Sequence, residues 1–434
     1  MTKFKCIRCG KIEPVSDTYI CSCGGLFEVH HEFGDIGLSQ LDDKLRERDS
    51  VWSSGVWRYK ELIHPQIEEK YIVSRPEGNT NLYQRQLVSE YADVDEIFLK
   101  HEGENPSGSF KDRGMTVGVS VALQDGALKV ACASTGNTSA SMAAYAAQAG
   151  LQGIVFIPEG MISYGKLAQA LAYGARVVQV KGNFDDAMNL IKVGAKQLGF
   201  YILNSLNPWR IEGQKSIVFE MLQQRRWNPP DWLIVPAGNL GNTSAFGKAL
   251  RELKQLGLIK RVPRIAAIQA EGANPFYKLW NSSDLKLKSI KPDTVASAIK
   301  IGNPVSWEKA LRSINETNGV VEQASDSEIM NAKAIIDASG IGCEPASAAS
   351  LAGAKKLREQ GVIAKDEVVV GVLTGNLLKD PDNTVQYHMG EIMGVTPYYS
   401  NKPLSVEADL DKIHAVLNQV NQPKSGQEVE QIGD

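Results

Sequence analysis

The sequence has no long apolar run and no strong excess of either charge. None of its apolar stretches is long enough to span a bilayer, and the opening segment MTKFKCIRCG lacks the apolar core of a signal peptide. Its 47 basic and 50 acidic residues give a net charge of -3, with no basic patch of the kind that binds nucleic acid. We therefore expect a cytosolic protein with no nucleic-acid and no membrane partner; an organellar protein that has lost its transit peptide is the alternative.

Cysteines are few, and their distribution is uneven. Four of the six lie within the first 23 residues: Cys6, Cys9, Cys21 and Cys23. In a reducing compartment such clustering indicates metal or redox chemistry more than disulfides. The CxxC and CxC pairs can hold a structural zinc ion tetrahedrally, and four reduced or partly oxidised thiols are the alternative. Cys132 and Cys343 stand alone in apolar or small-residue surroundings, so we expect them to be buried packing residues.

The order of the apolar segments predicts an α/β protein. Short β-branched runs alternate with Ala-rich helical stretches, which is typical of mainly parallel sheets covered by helices. The expected units are a cysteine-containing head with little regular pattern (1–50), a large cofactor-binding α/β domain (51–108 with 205–400), a small α/β domain (109–204), and a C-terminal helix with a flexible tail (401–434).

Three predicted strands end in similar polar loops. The segment GNTSA follows the strand KVACAS at residues 136–140 and recurs after WLIVPAG at residues 241–245, and Thr-Gly-Asn follows VVVGVL at residues 374–376. A single loop of this kind is explained by turn and helix-capping preferences. Ligands of open α/β sheets bind at the carboxyl ends of the strands. Three such loops therefore favour a shared small-molecule pocket.

Two segments carry the residues needed for a phosphate-anchored aldehyde. Lys111 follows the turn ENPSGSF and begins an apolar helix. A lysine alone is most often a surface residue, but a desolvated lysine in a pocket is a nucleophile that forms an imine with an aldehyde. The Gly-rich loop 238–244 can present successive N–H groups to a phosphate. It has neither the Lys-Ser/Thr ending of a P-loop nor the GxGxxG pattern, so a mononucleotide or a cofactor monophosphate is favoured over ATP or NAD.

Five segments, in this order, resemble the threonine synthases: SFKDRG, STGNTSA, the GNLGN loop, EPASAA and LTGNLLKD. The similarity extends over residues 75–397, and EGENPSGSFKDRGM and NSLNPWRIEGQK are its most specific parts. Threonine synthases belong to the tryptophan-synthase-β-like, fold-type II pyridoxal-phosphate (PLP) enzymes. The resemblance implies two open three-layer α/β domains, a homodimer, and conversion of O-phospho-L-homoserine and water to L-threonine and phosphate by γ-elimination and β-addition.

Four other functions are weighed against this one. Threonine dehydratase needs no second phosphate site, and cysteate synthase uses phosphoserine and sulfite. A catalytically inactive binding module that retains the fold is a third alternative, and a zinc-dependent nucleic-acid binder lacks the necessary basic patch.

The resemblance also implies a role for individual residues. Lys111 is the Schiff-base lysine and the general acid/base, Asn137 binds the 3-hydroxyl of PLP, and Thr374 faces the pyridine nitrogen. A neutral hydroxyl at that nitrogen favours replacement and elimination over transamination. The cofactor phosphate is bound by backbone groups of Gly238, Asn239, Leu240, Gly241 and Asn242. The substrate carboxylate or phosphate is bound by Ser134, Thr135 and Thr138. Its phosphate is contacted by Asn204, Ser205 and Arg210, and Lys300 is a further cationic candidate.

The chain departs from the family pattern at two places. Asn376 stands where histidine is frequent, which leaves any acid/base role at this position open. The second cysteine pair reads CSCGG, where many threonine synthases have CxxCGG, and this tightens the geometry of a metal site. For Lys300, an ordinary surface charge is the alternative to a substrate contact.

Overall fold

A computed structural model describes residues 2–159, 164–182, 184–284 and 286–420. The strands in these ranges are β1 (Thr2–Cys6), β2 (Ile12–Glu13), β3 (Phe27–His31), β4 (Leu82–Gln84), β5 (Glu96–His101), β6 (Lys129–Ala133), β7 (Gln152–Pro158), β8 (Arg176–Val180), β9 (Phe200–Ile202), β10 (Trp232–Pro236), β11 (Arg264–Ala270), β12 (Val320–Ala324) and β13 (Val368–Leu373).

The α-helices in the same ranges are α1 (Leu38–Asp43), α2 (Lys60–Ile63), α3 (Gln86–Ala92), α4 (Lys111–Gln124), α5 (Asn137–Gln148), α6 (Tyr164–Ala172), α7 (Phe184–Leu198), α8 (Pro208–Gln224), α9 (Gly241–Gln255), α10 (Pro275–Trp280), α11 (Trp307–Glu316), α12 (Asp326–Ala338), α13 (Pro345–Glu359), α14 (Pro381–Met389) and α15 (Leu410–Val420).

Two parallel sheets position the loops that were expected to bind ligands. The larger sheet has the order β12-β11-β10-β13-β5-β4, and only its edge strand β4 runs antiparallel. The smaller sheet has the order β8-β7-β6-β9 and is entirely parallel. All five residues of β10 are buried, as expected for a parallel strand covered on both faces. The predicted α/β class with mainly parallel sheets is confirmed.

The cysteine-containing head is more regular than its sequence suggested. Strands β1, β2 and β3 form an antiparallel sheet, whose strands are too short to produce a strong alternating pattern. The ring of Phe4 lies 5.8 Å from that of Phe27 and 6.3 Å from that of Trp209 in α8. The head is therefore packed directly on the helix that carries Arg210.

A buried ionic cluster anchors the head further along α8. The carboxylate of Glu212 lies 3.2 Å from Nε2 of His31 in β3 and 2.6 Å from Nζ of Lys215, and it also pairs with Lys248 of α9. Three basic side chains therefore contact this carboxylate, and a buried charge requires such partners. Helices α8 and α9 and the head are thus linked by polar as well as apolar contacts.

The C-terminal segment leaves apolar side chains exposed. In α15, Leu410 and Leu417 are exposed and Ile413 lies on the same side of the helix. The predicted tail beyond residue 420 lies outside the described residues. Within the described ranges, no helix combines the length and the apolarity that crossing a bilayer requires.

Candidate active site

The loop before Lys111 lies against the end of the central strand β13. The N–H of Phe110 donates to the carbonyl of Thr374 (3.0 Å), and the N–H of Asn376 donates to the carbonyl of Gly108 (2.9 Å). Gly108 has a φ of +83°, a left-handed conformation that favours glycine. These contacts fix the start of α4 beside Thr374, as the predicted roles of Lys111 and Thr374 require.

Lys111 has the environment of a reactive amine. Its Nζ lies 3.8 Å from the centroid of the Phe110 ring. Burial lowers the pKa of Lys111 to about 7, with a further lowering by the positive charge of Arg210 and a partial opposing effect of Glu344. A substantial fraction of this amine is therefore unprotonated at neutral pH and available as a nucleophile.

Arg210 is a buried cation without a carboxylate partner among the contacts described. It lies in the first turn of α8, where it packs against Gly114 and Gly118 of α4. Its Nη1 donates to the carbonyl of Leu203 (3.2 Å), whereas its buried Nε has no partner. Burial lowers the pKa of Arg210 to about 10. Because a guanidinium in this situation gains most from a bidentate oxyanion, Arg210 is well placed to bind a phosphate or a carboxylate.

A second anion site lies at the start of α9. Leu240, just before the helix, adopts a left-handed conformation (φ +64°), and the N–H groups of the first turn, from Gly241 onwards, have no acceptor within the helix. The buried hydroxyl of Thr243, which can donate, has no partner. A Cβ at Gly238 would lie 3.0 Å from the Cα of Ile299, which explains the glycine. The donors here fit a phosphate monoester.

Asn137 and Thr374 face each other across a buried carboxylate. Nδ2 of Asn137 donates to Glu344 at 3.1 Å (Oε2) and 3.3 Å (Oε1). The hydroxyl of Thr374 lies 3.0 Å from the hydroxyl of Ser347 and 3.5 Å from Oε1 of Glu344. The residues expected at the 3-hydroxyl and at the ring nitrogen of the cofactor therefore contact the same carboxylate.

The loop after β6 contributes further polar groups. Ser134, Thr135 and Thr138 are half-buried at the start of α5. The hydroxyl of Ser134 already accepts the N–H of Gly136 (3.2 Å). The structure brings this loop, through Asn137, to the same carboxylate as Thr374.

Asn204 and Ser205 are partly engaged within the protein. Asn204 exchanges two hydrogen bonds with the backbone of Ala133, each 3.1 Å long, which extends the pairing of β6 with β9. The hydroxyl of Ser205 accepts from Nδ2 of Asn239 (2.7 Å), and Oδ1 of Asn239 accepts from the N–H of Val305 (2.7 Å). Asn239 thereby connects the phosphate loop with the segment that precedes Arg210.

Two other candidates have surface or capping roles here. Nζ of Lys300 lies 2.7 Å from the exposed Asp293, and 40% of its side chain is accessible to solvent, in agreement with the surface-charge alternative. Asn376 caps the short 3-10 turn after β13 by accepting from the N–H of Leu378 (3.0 Å). Its Nδ2 also donates to the carbonyl of Gly103 (3.3 Å), so the hydrogen bonds described for this side chain are structural ones to the backbone.

Several residues at the site were not singled out from the sequence. Glu344, Ser347 and Lys379 lie in the segments EPASAA and LTGNLLKD, so the motifs contained them, but no spacing rule marked their side chains as facing Lys111. Gln214 lies one turn after Arg210, and its buried Oε1 has no partner. Thr243 occupies the same place in the second GNTSA segment as Thr138 in the first, and this repeat was the sequence feature that could have identified it.

Comparison with known proteins agrees with this geometry. Residues 73–375 match the family described as pyridoxal-phosphate dependent enzyme. The chain is 45% identical over 419 residues to threonine synthase of Methanocaldococcus jannaschii, covering 96% of this chain and 99% of that protein. It is 42% identical over 421 residues to threonine synthase of Methanosarcina acetivorans, with the same coverage of each chain, 96% and 99%.

The fold has solved counterparts as well. The crystal structure of threonine synthase from Escherichia coli matches with a TM-score of 0.68, covering 96% of this chain and 100% of that chain at 18% sequence identity. This likeness confirms the predicted fold class, and the similarity to the curated relatives confirms the resemblance inferred from the motifs. The chain belongs to the pyridoxal-phosphate-dependent enzymes and, within them, to the threonine synthases.

Proposed function

We propose that the protein converts O-phospho-L-homoserine and water to L-threonine and inorganic phosphate, with PLP held by Lys111. The observation that carries the proposal is that a lysine of lowered pKa lies near a buried guanidinium with an unpartnered Nε, while the start of α9 offers a second, separate set of donors. The start of α9 offers N–H donors and the unpartnered hydroxyl of Thr243 for the cofactor phosphate. The guanidinium of Arg210, close enough to Lys111 to lower its pKa, is available for the substrate phosphate.

The roles of the protein groups follow from their positions. PLP, when bound, supplies an electron sink for a carbanion at Cα of the substrate. Nζ of Lys111 would hold the cofactor aldehyde at rest and, when free, is the base placed to remove a proton from Cα and then one from Cβ of the substrate. Arg210 orients the substrate phosphate and stabilises it as it leaves Cγ. The hydroxyl of Thr374 would provide a neutral contact for the ring nitrogen. After phosphate has left, the product requires a proton at Cγ, the hydroxyl of one water at Cβ and a proton returned to Cα, and Lys111 is the acid/base available for these proton transfers.

Substrate comparison tests this proposal. Purified protein supplied with PLP is assayed with phosphohomoserine, phosphoserine plus sulfite, and threonine, and the release of phosphate, cysteate, 2-oxobutyrate and threonine is measured. We expect threonine and phosphate in equal amounts from phosphohomoserine, because its phosphate can be bound by Arg210 and its four-carbon chain becomes that of threonine. Activity confined to either of the other substrates, or none with any of them, would contradict the proposal.

We also propose that the four cysteines of the head bind one structural zinc ion. Their sulfur atoms all lie within 4.8 Å of one another, with Cys6 and Cys23 at 3.5 Å and Cys9 and Cys21 at 3.7 Å. A tetrahedral site with Zn–S bonds of about 2.3 Å requires sulfur separations of about 3.8 Å. A Cβ at Gly25 would lie 2.8 Å from Sγ of Cys6, so the glycine after the CxC pair leaves room for the sulfurs to converge.

Replacing two of these cysteines should remove the metal and loosen the head. For the double variant C9S/C23S we expect loss of about one equivalent of zinc and a Tm lower by a few degrees, because the site closes the head that packs on α8. Elemental analysis and calorimetry measure the two effects, and Ser22→Ala, between the two cysteines of the CxC pair, is the matched control. Wild-type protein without bound zinc, and with a Tm unaffected by chelators, would favour four free thiols instead.

We further propose a homodimer that works in the cytoplasm. The apolar side chains exposed towards the C-terminus support an interface: Leu378, Val385, Met393, Tyr398, Leu410 and Leu417. All six cysteines are free, which suits a reducing compartment. Sedimentation equilibrium is expected to give twice the mass of one chain, and a monomer at micromolar concentration would exclude this oligomeric state.

A further inference from the structure

Glu344 is a buried carboxylate at the centre of the residues expected to surround the cofactor ring. It precedes the first turn of α13, only 4% of it is exposed, and its N–H donates to the carbonyl of Gly375 (3.1 Å). A Cβ at Gly375 would lie 2.4 Å from its carboxyl carbon. The absence of a Cβ after Thr374 therefore admits this carboxylate, and the main chain of Glu344 is held against Gly375.

The hydrogen bonds that Glu344 accepts determine which end of the Asn137 side-chain amide faces the carboxylate. A carboxylate accepts hydrogen bonds and donates none, so it selects the NH₂ end of the Asn137 side chain, as the 3.1 Å and 3.3 Å contacts show. The amide nitrogen carries two hydrogens, and one of them is left for a second acceptor. Without the carboxylate, the oxygen and nitrogen of Asn137 would be close to interchangeable in the space they occupy.

We propose that Glu344 is a positioning residue that turns the Asn137 amide so that its free N–H meets the 3-hydroxyl oxygen of the cofactor, while its charge faces Lys111. The inference rests on the proposed function, because it assigns a role towards PLP. Glu344 does not touch the reacting atoms of the substrate in this arrangement. It acts by orienting the amide of Asn137 and by its electrostatic effect on Lys111.

The charges around Glu344 come from three parts of the chain. Lys111 faces it from α4, while Lys379 and Asp380 face it from the segment after β13. Burial raises the pKa of Glu344, and the hydrogen bond from Asn137 opposes that rise. Arg210 acts on Lys111 from α8, with an effect opposite to that of Glu344. Loss of the carboxylate should therefore lower the pKa of the amine at position 111.

The test uses the reconstituted full-length protein and three readouts other than turnover. For Glu344→Gln we expect a Kd for PLP about tenfold to a hundredfold higher, as for the loss of a hydrogen bond to a charged group. The midpoint of the pH titration of the visible cofactor absorbance should move to lower pH. The third readout is Tm. Glu344→Asp keeps the charge and should keep the wild-type midpoint, and Glu359→Gln at the exposed end of the same helix is the matched control.

A double variant separates positioning from a purely structural role. If Glu344 acts through Asn137, the variant with both Asn137→Ala and Glu344→Gln binds PLP no more weakly than the weaker single variant. Fold-changes that multiply, or a Glu344→Gln variant with lower Tm but unchanged Kd and titration midpoint, overturn the inference. Wild-type protein that binds no PLP would overturn the proposed function itself, whereas a normal wild type with an unaffected Glu344→Gln variant overturns only the role of Glu344.

Discussion

Lys111→Ala is expected to lose the visible absorbance of the bound cofactor and to form threonine about four orders of magnitude more slowly than the wild type. The variant lacks both the amine that holds the cofactor aldehyde and the base that moves the Cα proton. The phosphate loop at the start of α9 is untouched, so the variant should still bind PLP, non-covalently and more weakly. Absorption spectra, equilibrium dialysis and the phosphate-release assay measure the three effects.

Borohydride reduction followed by peptide mass spectrometry gives an independent check. The pyridoxyl group should be found on Lys111 in the wild type and on no lysine in Lys111→Ala. Lys70→Ala is a suitable control, because Lys70 is exposed and pairs with Glu68 at the surface. An adduct on another lysine, or full activity in Lys111→Ala, would remove the basis of the proposed mechanism.

Sequence motifs could predict the site residues whose positions are set by the course of the backbone. Lys111 at the start of α4, Thr374 after β13 and the loop from Gly238 to Asn242 all lie at strand ends or helix starts. Parallel strands bring such ends to one edge of a sheet, so the chain order of apolar segments and polar loops already implies their proximity. The prediction of the fold class was confirmed for the same reason.

The parts that could not be predicted depend on which side chains pair with each other. Lys300 and Arg210 are both cations in motif-like segments, yet the first meets Asp293 at the surface and the second is buried without a carboxylate. Glu344 and Gly375 are 31 positions apart, and only the folded chain shows that the carboxylate lies where a Cβ would be. Pairings of this kind are set by packing between elements, for which a single sequence carries no direct signal.

Arg210→Met is expected to make the cofactor-free protein more stable while it disables the reaction. The buried guanidinium has an unpartnered Nε and a pKa lowered by burial to about 10, so its charge opposes folding. An apolar side chain of similar length should raise the free energy of unfolding by about 1–3 kcal/mol. The same change should lower kcat/KM for phosphohomoserine about a hundredfold or more, because the substrate phosphate loses its cation.

A second readout follows from the charge itself. Arg210 contributes to the lowered pKa of Lys111, so its removal should raise that pKa, and the pH titration of the cofactor absorbance should shift to higher pH. This shift is opposite in direction to the one expected for Glu344→Gln. If the substitution acted only by distorting α8, Tm and turnover would change, but the midpoint of the pH titration would not be expected to move to higher pH.

Arg113→Met is the matched control, since Arg113 is equally buried but fully paired. Its Nε lies 2.6 Å from Glu102, and its Nη2 lies 2.8 Å from Glu220. Replacing Arg113 removes the cation that pairs with both buried carboxylates. The free energy of unfolding should therefore fall by about 3–5 kcal/mol. Urea unfolding of the two cofactor-free variants should therefore move in opposite directions. If Arg210→Met were destabilised as Arg113→Met is, the guanidinium would have a partner in the protein, and position 210 would not be an anion site.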